Sequence, residues 1–91
     1  MPKLVIYGKL VFYIFAYDLS ERMHVHISNT KSREGRSAKI WLDTLVVFEQ
    51  GSLTNKEIKL ALRLLEEHNA AIQLSIRTFA ETGQTKPLHL R

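Results

Sequence analysis

Apolar positions along this 91-residue chain change their period once, near residue 50. Before that point they run in short alternating or continuous stretches, the period-two mark of strands. After it they recur every three or four residues, as on a helix. Leu4–Tyr7 and Leu10–Tyr17 read as two strands around a Gly8-Lys9 turn, rich in the Val, Ile, Phe and Tyr that a pleated surface favours. A two-residue gap suits a hairpin, with Gly8 free to take a positive φ. Val11, Tyr13, Phe15 and Tyr17 fall on one side of the second strand and Phe12, Ile14 and Ala16 on the other. Both sides are apolar, so this strand is expected to be central. Asp18–Arg22 is a polar connection, Met23–Ser28 a third strand, and Asn29–Arg36 a polar loop. Ala38–Leu42 and Leu45–Phe48 are the last two predicted strands, and Gln50-Gly51-Ser52 ends the β half.

The helical half opens on Thr54-Asn55-Lys56-Glu57, a capping box in which Thr54 and Glu57 can each satisfy the other's backbone N–H. Leu53 and Ile58 stand at the two positions of a hydrophobic staple. Ile58, Leu62, Leu65, Ile72, Ile76 and Phe79 then form one apolar stripe, expected to be core. Leu60 and Leu64 lie off it and suit burial by a second helix or contact with another chain. The pattern alone permits one helix to Thr82, before Gly83. Such a helix would be about 43 Å long, against a radius of gyration of about 12 Å for a domain of this size. A break or sharp kink is therefore predicted at His68-Asn69, with Asn69 as a competent N-cap. Gly83 ends the second helix and Pro87 keeps the tail from resuming it. The tail, Thr85–Arg91, suits either an added edge strand or disorder.

The expected fold is α+β: a four- or five-stranded antiparallel meander, then two helices packed on one face. Length allows a single domain over 1–91, with a β half at 1–50, a helical half at 53–82 and a tail at 83–91. The absence of cysteine excludes disulfides, thiolate metal sites and cysteine nucleophiles. A net charge of +4 permits nucleic-acid contact without demanding it. No run approaches the roughly 18 apolar residues of a membrane span, which makes a soluble cytoplasmic protein the expectation. No phosphate-cradling glycine loop, GxSxG, HExxH or EF-hand loop is present, so nucleotide-hydrolysing and ordinary hydrolytic enzymes are not expected.

His24-Val25-His26 is the stretch with the most chemistry. On a strand, both imidazoles share a face while Met23, Val25 and Ile27 take the other. If Met23–Ser28 and Ala38–Leu42 pair, Val25, Ile27, Ala38, Ile40 and Leu42 form the inward set. His24, His26, Lys39 and Trp41 then gather opposite, on the face that helices packed on one side leave bare. Four readings compete. The histidines can be half-exposed strand residues bonded to neighbours, or part of a docking face for a partner or second copy. A metal site would need further ligands from Asp43, Glu49, His68 or His89, none at diagnostic spacing. Acid–base work on RNA would need an orienting carboxylate or nucleophile, and none is evident. Lys31, Arg33, Arg36 and Lys39 make a basic cluster suited to phosphates or an acidic partner, or simply to solvation of a hairpin loop. No catalytic residue, cofactor site or metal site is assigned.

Taken together, Met1-Pro2, the Gly8–Tyr17 aromatic strand, His24-Val25-His26, Ala38-Lys39-Ile40-Trp41-Leu42 and Glu66-Glu67-His68-Asn69 resemble the small bacterial domain-of-unknown-function family 4160. The likeness covers nearly the whole chain. It departs at Arg22 and Met23, where the family usually carries proline, and at Ile76 and Phe79, where a tryptophan-containing stretch is usual. The resemblance implies the α+β fold and no established activity. It also implies genes paired with those of another small family, an arrangement read as toxin–antitoxin-like. The leading expectation is a non-enzymatic interaction module using His24, His26, Lys39 and Trp41 to bind a small cognate protein or itself. Its rival is an RNA-binding or RNA-cleaving toxin-like protein that adds Arg33 and Arg36. No membrane partner is expected.

Overall fold

The structure, a computed structural model, describes residues 2–15, 19–20, 22–29 and 36–90. Five strands follow one another as a meander: β1 (Lys3–Tyr7), β2 (Leu10–Tyr13), β3 (His24–Ser28), β4 (Ala38–Trp41) and β5 (Val47–Glu49). Two helices come next, α1 (Asn55–Glu67) and α2 (Asn69–Thr82), and then β6 (Leu88–Leu90). The sheet order is β5-β4-β3-β2-β1-β6. All pairs within the meander are antiparallel, and β6 joins β1 in parallel. The α+β class and the meander are as expected. The tail extends the sheet to six strands and makes it mixed.

Local chemistry sets the element ends. Gly8 takes φ 56° in the two-residue link where Tyr7 pairs with Leu10. Such a positive φ at the first link residue is what a tight hairpin of this twist needs. The β4–β5 link is less regular, because Leu45 itself is left-handed at φ 55° and donates its N–H to the Trp41 carbonyl at 2.9 Å. That turn conformation is why the fifth strand runs Val47–Glu49 and not Leu45–Phe48. The second strand ends at Tyr13, although Ile14 still donates to the Pro2 carbonyl at 3.1 Å. Residues 16–18 and the basic positions Lys31 and Arg33 lie outside the described residues.

The capping box forms as read. Glu57 N–H donates to Thr54 Oγ1 at 3.1 Å and Thr54 N–H to Glu57 Oε1 at 2.9 Å. Leu53 and Ile58, the staple pair, are both buried. The helices break at His68, whose φ of −116° leaves the helical region. Asn69 is the first residue of α2 and not its cap. Its Nδ2 instead donates to the Leu42 carbonyl at 3.3 Å, tying the helix to the end of β4.

Core formation follows strand parity. Phe12, Ile14, Val25, Ile27, Ala38, Ile40 and Leu42 share one sheet face and pack with Ile58, Ala61, Leu64, Leu65, Ile72 and Ile76 of the helices. Leu62 and Phe79 flank this cluster half-buried. Leu64 is buried within it and Leu60 lies against it, so neither waits for another chain. The opposite sheet face carries the candidate residues.

Candidate functional site

Register brings four of the candidates together. His24 stands opposite Trp41 and His26 opposite Lys39 across the β3–β4 ladder, while Tyr13 of β2 stands opposite His26. Directly opposed residues share a face and approach closely enough to touch. The result is a row of rings across the sheet. Phe15 meets His26 at 5.2 Å between ring centres, Tyr13 stacks on His26 at 5.3 Å, and His24 meets His26 edge-on at 5.0 Å. The row continues from His24 to Trp41 at 5.5 Å and from Trp41 to Phe48 at 5.2 Å. These are ordinary separations for favourable stacked and edge-to-face pairs.

That row changes the state of the histidines. One of the four readings has them half-exposed, but His24 is 7% and His26 5% accessible. Alternation correctly places them away from the helices. Among the described residues, flanking aromatic rings supply cover on this face. Each imidazole is a polar group inside an aromatic bed and needs a hydrogen-bonding partner to stay there. For His24, Nδ1 lies 2.8 Å from the Arg22 carbonyl, so that nitrogen carries a proton and donates. Tyr13 and Ser37 share a hydroxyl–hydroxyl hydrogen bond that pins the Tyr13 end of the row.

The exposed end of the row lies on the β4–β5 hairpin. Phe48 is 61% and Val46 54% accessible, and Trp41 is half-buried between the rings of Phe48 and His24. Val46 accepts from Trp41 N–H at 3.0 Å, which holds the two residues beside each other across the hairpin. Arg22 lies over the Trp41 ring, 4.5 Å from its centre. Its guanidinium also grips Asp43 with two nitrogens, at 2.8 and 2.9 Å. Those hydrogen bonds hold the Asp43 carboxyl below its usual range. At the other end of the hairpin Lys39 pairs with Glu49 at 3.7 Å. The surface is therefore a hydrophobic strip with one ion pair at each end.

Arg36 is not part of this strip's ion pairs. Its backbone is held instead: its N–H donates to Ser52 Oγ at 2.8 Å and its carbonyl accepts from Ser52 N–H at 2.9 Å. Arg33 lies outside the described residues. Sequence reasoning missed Arg22, Val46 and Phe48, and it weighed Asp43 and Glu49 only as metal donors, not as the ion-pair partners of Arg22 and Lys39. Parity within the last strand could have found Phe48, but only with the Leu45 turn known. Among the described residues no group of three or more His, Cys, Asp or Glu side chains could hold a metal ion. No helix among them is long and apolar enough to cross a membrane. A surface cleft of about 390 Å³ lies away from the rings, between α2 residues Leu74 and Thr78 and the segment at Thr85.

A family model described as a domain of unknown function (DUF4160) matches residues 10–74, from β2 into the first turns of α2 and across every ring of the row. No curated protein and no solved structure matches the chain.

Proposed function

The chain belongs to the family of the domain of unknown function DUF4160, and on that premise we propose that it is a non-enzymatic cytoplasmic module that docks a protein through its ring-bearing sheet face. The observation that carries the reading is the Trp41–Val46–Phe48 strip, exposed at Val46 and Phe48 and built through half-buried Trp41 on a buried row of aromatic and imidazole rings. Aromatic side chains bring a large apolar area at little entropic cost, which is why they anchor protein interfaces. Within this reading His24 and His26 are the bed that fixes Trp41 and not the contact itself. Lys39 contributes at the rim. Membership of a toxin–antitoxin-like pair is the biological setting we favour.

RNA binding or cleavage gains no specific support from the site. The imidazoles lie under rings, and the carboxylates of Asp43 and Glu49 would face the phosphates of any strand laid on the hairpin. The decisive experiment compares proteins retained from the native host by the wild-type chain and by Trp41→Ala and Phe48→Asp. A partner lost in both variants, with cooperative melting intact, is the expected result. Partners retained equally by all three would exclude this face.

A further inference from the structure

We infer that the docking strip is a self-association site, and that its occupant is a second copy of this chain. The inference rests on the docking reading above and names the partner. The strip is bounded at the hairpin turn by Arg22 and Asp43 and at the other end by Lys39 and Glu49. Each end therefore holds one positive and one negative group, and these four described charges sum to zero. A two-fold interface requires a patch complementary to itself. Docking two hairpins head to tail lays the Arg22/Asp43 end of one on the Lys39/Glu49 end of the other. Arg22 then meets Glu49 of the second copy, and Asp43 meets Lys39, around a shared Trp41–Val46–Phe48 centre. A polyanion or a strongly acidic protein would gain two contacts and be opposed by two carboxylates at the same spot.

Strand addition is the other common way to extend a sheet, and both edges are blunted against it. β5 has three residues and carries an irregularity where Phe48 intervenes between the Lys39–Glu49 and Ile40–Val47 pairs. β6 also has three residues and is preceded by Pro87. Short, bulged or proline-flanked edges resist pairing with another chain. The open route to a second copy is across the face.

Sedimentation equilibrium of the purified chain over a wide concentration range tests this. The expected mass is twice 10.5 kDa at high concentration. Phe48→Asp should weaken the association by more than about tenfold. Leu74→Asp, equally exposed but on α2, should leave it unchanged. A doubly acidic variant, Arg22→Glu with Lys39→Glu, and a doubly basic one, Asp43→Lys with Glu49→Lys, should each be monomeric alone and associate when mixed. Far-UV circular dichroism checks that each is folded. A wild-type monomer at every concentration overturns the second-copy assignment while leaving the host-partner test of the face to stand or fall on its own. A dimer indifferent to Phe48→Asp and to the charge variants overturns the assignment of the strip as its interface, again without touching the host-partner test.

Discussion

Gly51 adopts φ 61°, and a Cβ placed there would stand 2.4 Å from the Arg36 carbonyl oxygen. Gly8 has a similar φ of 56° with nothing within 4 Å of the same position. The pair separates conformational strain from steric clash. Gly8→Ala should cost about 1 kcal/mol, and Gly51→Ala about 2–4 kcal/mol because backbone must also move. Denaturant titration of the two variants measures the difference, and equal losses would mean that the approach to Arg36 is not tight. The acid limb of stability has its own residues. Hydrogen bonding from the Thr54 backbone N–H lowers the Glu57 pKa, and Arg22 lowers that of Asp43. A carboxyl depressed in the folded state stabilises it above the unfolded pKa, and that contribution is lost as pH falls through the folded value. Stability should therefore drop below about pH 4, and Glu57→Gln, which keeps an acceptor but does not titrate, should flatten the slope. At His26 the face was legible from alternation, but its burial was not. Alternation says which way a ring points, whereas enclosure depends on Tyr13, Phe15 and His24 arriving from other positions. Removing His26 to Ala thus empties a packed site and should lower stability by about 2–4 kcal/mol, which makes Phe48 the better probe of docking.

Among the elements, α1 was the most legible, since its cap, staple and apolar stripe all lie within residues 53–65. Thr54→Ala should cost about 1 kcal/mol, read as a shift in the denaturant midpoint; no shift would mean that the box is redundant with the staple. The break between α1 and α2 was legible only from size, because apolar periodicity runs straight through it. Its anchor, Asn69 on the Leu42 carbonyl, could not be seen before β4 and α2 were placed together. The β4–β5 hairpin was the least legible element. A leucine in the left-handed region carries no sequence signal, and it moves the strand start by two residues. Without that shift Phe48 cannot be set beside Trp41.

Taken as a whole, the molecule has a radius of gyration of 12.0 Å and extents of 33 × 26 × 26 Å. One apolar cluster joins every strand of the meander to both helices. Trp41 fluorescence reports on the bare face and far-UV circular dichroism on the helices. Because both rest on the same cluster, their unfolding midpoints should coincide. Separate transitions would mean that the ring row melts on its own. The fold class was legible because one switch in apolar period divides the chain. The sixth strand was legible only as one of two alternatives, since the Leu88-His89-Leu90 alternation is too short to decide between strand and disorder without the β1 edge that receives it. That receipt dictates a timetable. Val5 waits for Leu88 and Tyr7 for Leu90, so β1 keeps an unsatisfied flank until β6, more than eighty residues further along, has been made. Nascent or truncated chains that stop short of residue 88 expose that flank, and they are the species to look for in aggregates and in the hands of chaperones.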